Sequence, residues 1–203
     1  MKEMQDVGKP PYVNQTSPRQ YYFLSSALLM TEALSRVDLR VRSFRVRRSA
    51  VVGEYKLSEI FTGLESSSAL IQVFGSKAQM TKIMKHLKLR VERNDSGLWL
   101  DRDTGTICIG AKHLTTAKND FLYLDVIHVL VHVRQFLEGK ELYDQAFEYV
   151  DRPTELEAYR TTVAEARRVG MGEDEILRYL RMDAADDSEL GKLMEKIGVR
   201  ARR

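Results

Sequence analysis

The chain has 203 residues, 43% of them hydrophobic and 30% charged, which suits one globular domain with room for a sizeable core. A single cysteine, Cys108, excludes an intramolecular disulfide, a thiolate-rich zinc knuckle and an iron–sulfur cluster, so any metal must be held by His, Asp or Glu. The 32 basic and 29 acidic residues leave +3, too little for global charge to imply nucleic-acid binding.

Residues 1–16 carry Gly8, Pro10, Pro11 and Asn14 with few apolar anchors and read as a flexible N-terminal arm. No apolar run there resembles a signal peptide and none elsewhere reaches the roughly 20 residues of a membrane helix, so a cytoplasmic protein without a membrane partner is expected. Ser17-Pro18 is an N-cap with proline at the first helical position, and a buried helix follows to about Arg36. From Val37 apolar and basic residues alternate to Arg48, as in a half-buried strand with one basic face. A short helix is predicted at 57–64, a strand at 70–74 and a helix at 76–87, where Met80, Ile83, Met84 and Leu87 share a helical face.

Strands then dominate. Leu89 and Val91 alternate with charged residues, Asn94-Asp95-Ser96-Gly97 marks a turn, and 98–100 and 107–109 supply two more strands, read together as an antiparallel meander. After Lys118 the pattern is helical, over about 119–138, 153–169, 173–181 and 187–197, with Gly139, Gly170 and Gly198 as stops. The fold class is therefore α+β, a small antiparallel or mixed sheet packed against a helical C-terminal half. Residues 17–198 are expected to form one domain, in which 17–88 complete the sheet instead of standing apart as a small subdomain, and 199–203 form a basic tail.

The stretch NDFLYLDVIHVLVHVRQFLEG is an apolar helix interrupted by Asp125, His128, His132 and Gln135. Spacings of three and four put them on one stripe, with the two imidazoles one turn apart and able to point at a common centre. That is the geometry of a bidentate metal clamp. Asp125 and Gln135 suit outer positions that orient the ligands.

His128-Val129-Leu130-Val131-His132, preceded by an Ile-Cys-Ile strand and followed by the carboxylate-rich RPTELEAY, resembles the zincin metallopeptidases and their H-E-x-x-H helix, over about Trp99 to Gly170. The resemblance implies zinc as cofactor, His128 and His132 as ligands, and a third ligand from the next helix, carried to Glu157. Glu155 is the competing choice, because the two project about 200° apart on a helix and only one can face the histidines. Where the family carries its general-base glutamate this chain has Val129, which cannot move a proton. The expected protein is thus an inactive zincin-like domain that binds a peptide or protein partner along an edge strand at Thr106–Ala111.

Alternatives from other classes stand beside it. An active metal-dependent peptidase would need Asp125 or Glu155 as a displaced base. A nucleic-acid-associated protein would use the basic surface of residues 37–90, with Arg40, Arg42, Arg45, Arg47 and Arg48 as phosphate contacts and Lys77, Lys82, Lys85 and Lys88 nearby. The bland reading of His128 and His132 is a buried pair bonded to carboxylates with no metal. Tyr159 is expected in the core, and His86 and His113 at the surface.

Overall fold

A computed structural model describes residues 43–182 and 184–200. The arm at 1–16, the helix at 17–36, Arg40, Arg42 and the end of the tail lie outside them. All the described residues belong to one compact unit.

Two sheets form. Strand β1 (Arg45–Val46) pairs antiparallel with β3 (Phe61–Thr62), and between them run β2 (Gly53–Lys56) and a single helical turn, α1 (Leu57–Ile60). The chain continues through a 3₁₀ turn (Leu64–Ser66), α2 (Ser68–Val73) and α3 (Lys77–Met84) into β4 (Lys88–Glu92), β5 (Leu98–Leu100) and β6 (Ile107–Gly110). Strands β2, β4, β6 and β5 form a mixed sheet in that order: β4 pairs with β6 in parallel, and the other pairings are antiparallel. Of the segment before β4, strand β2 thus joins the larger sheet, while β1 and β3 form the smaller one.

The turn joining β3 to the 3₁₀ segment tolerates only glycine at 63. Its φ is +83°, and a Cβ there would lie 1.9 Å from the Ser43 carbonyl oxygen.

Three expectations change. The helix expected at 57–64 stops after one turn, because Phe61 turns extended to pair with Val46. The strand expected at 70–74 is instead the end of the helix Ser68–Val73 with Phe74 as its C-cap; Ser67 caps the start by accepting from the Leu70 amide, and a short apolar run by itself cannot distinguish the two states. The strands 88–92, 98–100 and 107–110 are not a meander, because β6 inserts between β4 and β5. Every residue of β6 is buried, which suits the centre of a sheet, whereas the half-buried Leu98 and Trp99 suit an edge. Gly110 permits this insertion, since a Cβ would strike the backbone oxygen of Ser96 at 2.4 Å.

The helical half matches its periodicity. After α4 (Ala111–Thr116) come α5 (Asn119–Leu137), a 3₁₀ turn (Tyr149–Asp151), α6 (Pro153–Arg168), α7 (Glu173–Leu180) and α8 (Asp187–Ile197). Helix α5 is buried on nearly all sides; it packs most extensively against α6, and also against β5 and α2. Leu122, Val126, Val129, Leu130 and Val133 join Leu89, Val91, Ile107 and Ile109 in one apolar core, and burial of that size is the main stabilising term. Polar ties add register: Tyr123 of α5 donates to buried Glu165 of α6 at 2.5 Å, and Arg168 clamps the same carboxylate with two bonds of 2.6 Å. Among the described residues, no helix is long and apolar enough to cross a membrane.

Candidate metal centre

The interface of α5 and α6 brings three ligand-type side chains together. His128 and His132, one turn apart on α5, point their Nε2 atoms at each other across 3.0 Å. Glu155 stands in the first turn of α6, where Pro153 starts the helix and a carboxylate is favoured by the helix dipole. Its Oε2 lies 3.3 Å from His128 Nε2 and 3.4 Å from His132 Nε2. The three atoms form a nearly regular triangle. Ligands about 2.0–2.1 Å from a tetrahedral zinc are separated by roughly 3.3 Å, so the triangle has the edge lengths of such a site.

Hydrogen bonding beyond the triangle decides where the protons sit. Gln135 donates through Nε2 to the Thr154 carbonyl at 3.0 Å and to the Glu157 carboxylate at 2.8 Å. Both partners only accept, so the Gln135 amide oxygen must face His132 Nδ1, 2.8 Å away, and that nitrogen must carry the hydrogen. In neutral His132 the Nε2 lone pair is then aimed at His128 and Glu155, the tautomer a metal ligand requires. His128 lacks such support: its Nδ1 is buried without a hydrogen-bond partner among the described residues.

Two imidazole nitrogens 3.0 Å apart beside a carboxylate must be bridged by a proton or by a cation. Burial opposes protonation of His132, but its bond to Glu155, the charge of that carboxylate and the bond to Gln135 outweigh burial and hold its pKa above the ordinary histidine value. Burial likewise pushes the Glu155 pKa up, and the bonds from the two imidazoles overcome that push and hold it well below the usual carboxylate range. The site is thus an ionised carboxylate facing imidazoles with a strong demand for positive charge.

Glu155, the competing choice, and not Glu157, faces the two histidines. Glu157 lies on the other side of α6, its side chain 42% exposed against 7% for Glu155, and is engaged by Arg134 at 2.6 Å, Gln135 at 2.8 Å and Lys140 at 3.3 Å. Burial works against its ionisation, but these donors lower its pKa. The two cations anchor Glu157 away from the histidines, and helical geometry then delivers Glu155 to them. Glu155 is therefore committed to the histidines, and Val129 is buried in the apolar core at 1% exposure.

A cleft of about 300 Å³ opens beside the triangle, bordered by His113, Asp125, His128, Leu98, Tyr149 and Tyr179. Asp125 faces His113, not the His128–His132–Glu155 triangle: its Oδ2 is 2.7 Å from His113 Nε2, and both side chains are only 15% exposed. The expectation of a surface His113 fails here, because its side chain on α4 reaches Asp125 on α5. No periodicity marks a lone histidine in a six-residue helix, so only the tertiary arrangement finds it. His86 is exposed as expected. Tyr159 is fully buried, also as expected, with its ring edge-on to His128 at 4.6 Å and its hydroxyl 2.9 Å from that of Tyr149.

Two interface expectations are corrected. The segment Thr106–Ala111 contains β6, an interior strand, so it offers no edge to a peptide; among the described residues the edge on the cleft side is β5, whose Leu98 borders the cavity. Arg48 is not available to phosphate, since it donates to the Leu114 and Ala117 carbonyls at 2.7 and 2.8 Å and so caps α4. Arg45 and Arg47 are exposed, and Arg47 lies over the Tyr55 ring at 5.7 Å. No known protein family, curated protein or solved structure matches the chain.

Proposed function

We propose that this chain is a zincin-like metal-binding protein whose cleft receives an extended peptide. The observation that carries the reading is the triangle of His128 Nε2, His132 Nε2 and Glu155 Oε2, with edges of 3.0, 3.3 and 3.4 Å, in which the His132 tautomer is set by Gln135. Two imidazoles and a carboxylate leave a fourth tetrahedral position for an external group and favour zinc-type ions over hard cations such as calcium or magnesium. When bound, such an ion supplies Lewis-acid polarisation of a carbonyl. The protein's own contribution is placement: α5 and α6 hold the ligands, Gln135 orients His132, and the edge strand β5 offers backbone groups along one wall of the cleft. With valine at 129, the glutamate-dependent peptidase mechanism has no base at its usual position.

Metal titration of the untagged protein tests this reading. The expected result is one zinc per chain, abolished in the His128→Ala, His132→Ala double variant and weakened in Glu155→Gln by more than the ~10–100-fold typical of an outer-shell change. Glu157→Gln should retain the site with a smaller loss. Zinc binding that survives Glu155→Gln but not Glu157→Gln would refute the ligand assignment.

A further inference from the structure

We propose that His113, oriented by Asp125, is the general base of the cleft and fills the role that Val129 cannot, making the protein a peptide hydrolase. The inference rests on the metal-centre reading above, and it reverses the expectation of an inert cleft. Three observations meet at this pair. Asp125 Oδ2 accepts from His113 at 2.7 Å, so the imidazole hydrogen sits on Nε2 and the lone pair on Nδ1. Nδ1 has no hydrogen-bond partner among the described residues and is not among the buried polar atoms left unsatisfied. Both residues border the same cleft as His128, the ligand nearest the opening.

A carboxylate that fixes the tautomer and steadies the developing imidazolium is the arrangement by which a histidine becomes an effective base. Asp125 is the positioning residue: it stands one turn before His128 on α5, so a single rigid helix carries a metal ligand and the support of the base.

The step balances without a further reactant. Water between His113 Nδ1 and the scissile carbonyl gives a proton to Nδ1; its oxygen bonds to the carbonyl carbon, and the C=O π pair moves onto the carbonyl oxygen. As that pair returns, the C–N bond breaks and the proton on Nδ1 passes to the leaving amine. The products are a carboxylic acid and an amine.

The test combines a metal-free readout with turnover. Long-range proton–nitrogen NMR of the metal-free chain, assigned with His86→Gln and His113→Gln, should show His113 as the Nε2–H tautomer, and Asp125→Asn should erase that preference. Zinc-loaded protein should then cleave a pooled quenched-fluorescent peptide library. His113→Gln should lower kcat by about 10²–10⁴-fold with KM and zinc affinity held, and Asp125→Asn should lower it less. His86→Gln should match wild type, and circular dichroism checks that each variant is folded. A His113 carrying its proton on Nδ1, a folded His113→Gln with wild-type kcat, or a zinc-loaded wild type that cleaves nothing each overturns the proposal while leaving the metal site standing. A chain that binds no zinc overturns both readings, and the binding isotherm shows this before peptide is added.

Discussion

Replacing Val129 with glutamate restores the H-E-x-x-H pattern in sequence, and the structure predicts that it restores no function. Val129 is 1% exposed and packed in the apolar core with Leu130 and Val133. A carboxyl group placed there must be neutral or pay for a buried charge. Keeping a glutamate protonated at about pH 7, from an ordinary pKa near 4.3, costs roughly 3.7 kcal/mol, and burying its neutral form adds about 1–3 kcal/mol. The expected destabilisation is therefore about 5 kcal/mol near neutrality, a large part of the stability of a domain of this size.

The sign of its pH dependence follows from linkage. The folded-state pKa of the new acid is raised, so the folded form binds more protons than the unfolded form, and the penalty grows as pH rises above the unfolded value. Between about pH 5 and pH 7 the difference between variant and wild type should widen by roughly 2.7 kcal/mol. Urea unfolding followed through Trp99, the chain's one tryptophan, at both pH values measures it. The zinc-loaded variant should also cleave the peptide library no faster than wild type. A Val129→Glu protein as stable as wild type near neutrality, or one that gains hydrolysis, would show that position 129 reaches the cleft and would refute the reasoning.

Gln135→Leu removes the acceptor that fixes the His132 tautomer, and zinc affinity measured against a competing chelator should fall about 10–100-fold while the stoichiometry stays at one. Metal and proton compete for the same centre, so zinc affinity should decline as pH falls through the raised His132 pKa. In the metal-free protein, the stabilisation from His132 is fully present below the ordinary value of 6.5 and lost as pH rises through its folded pKa. That from Glu155 is present above 4.5 and lost as pH falls through its lowered pKa. Thermal melts with chelator and with zinc should therefore separate increasingly as pH rises above that window; a separation largest at its acidic end would contradict the assignment.

Local periodicity in the sequence was enough for the helical half. The stripe Asp125, His128, His132, Gln135 was legible because helix geometry depends only on spacing, and the ends at Gly139, Gly170 and Gly198 were legible because glycine readily takes the conformation that stops a helix. The helix at Ser68–Val73 turned on a local cap, Ser67, which a short apolar run does not reveal. Three other features depended on partners distant in sequence. Strand β6 lies in the middle of the sheet, buried on both faces. Glu155 replaced Glu157 at the histidines because Arg134 and Lys140 hold Glu157 on the opposite side of α6. His113 on α4 met Asp125 on α5. A sequence states which side chains share an element and a face; which faces meet is set by packing between elements, and here that packing set Glu155 beside the two histidines and His113 beside Asp125.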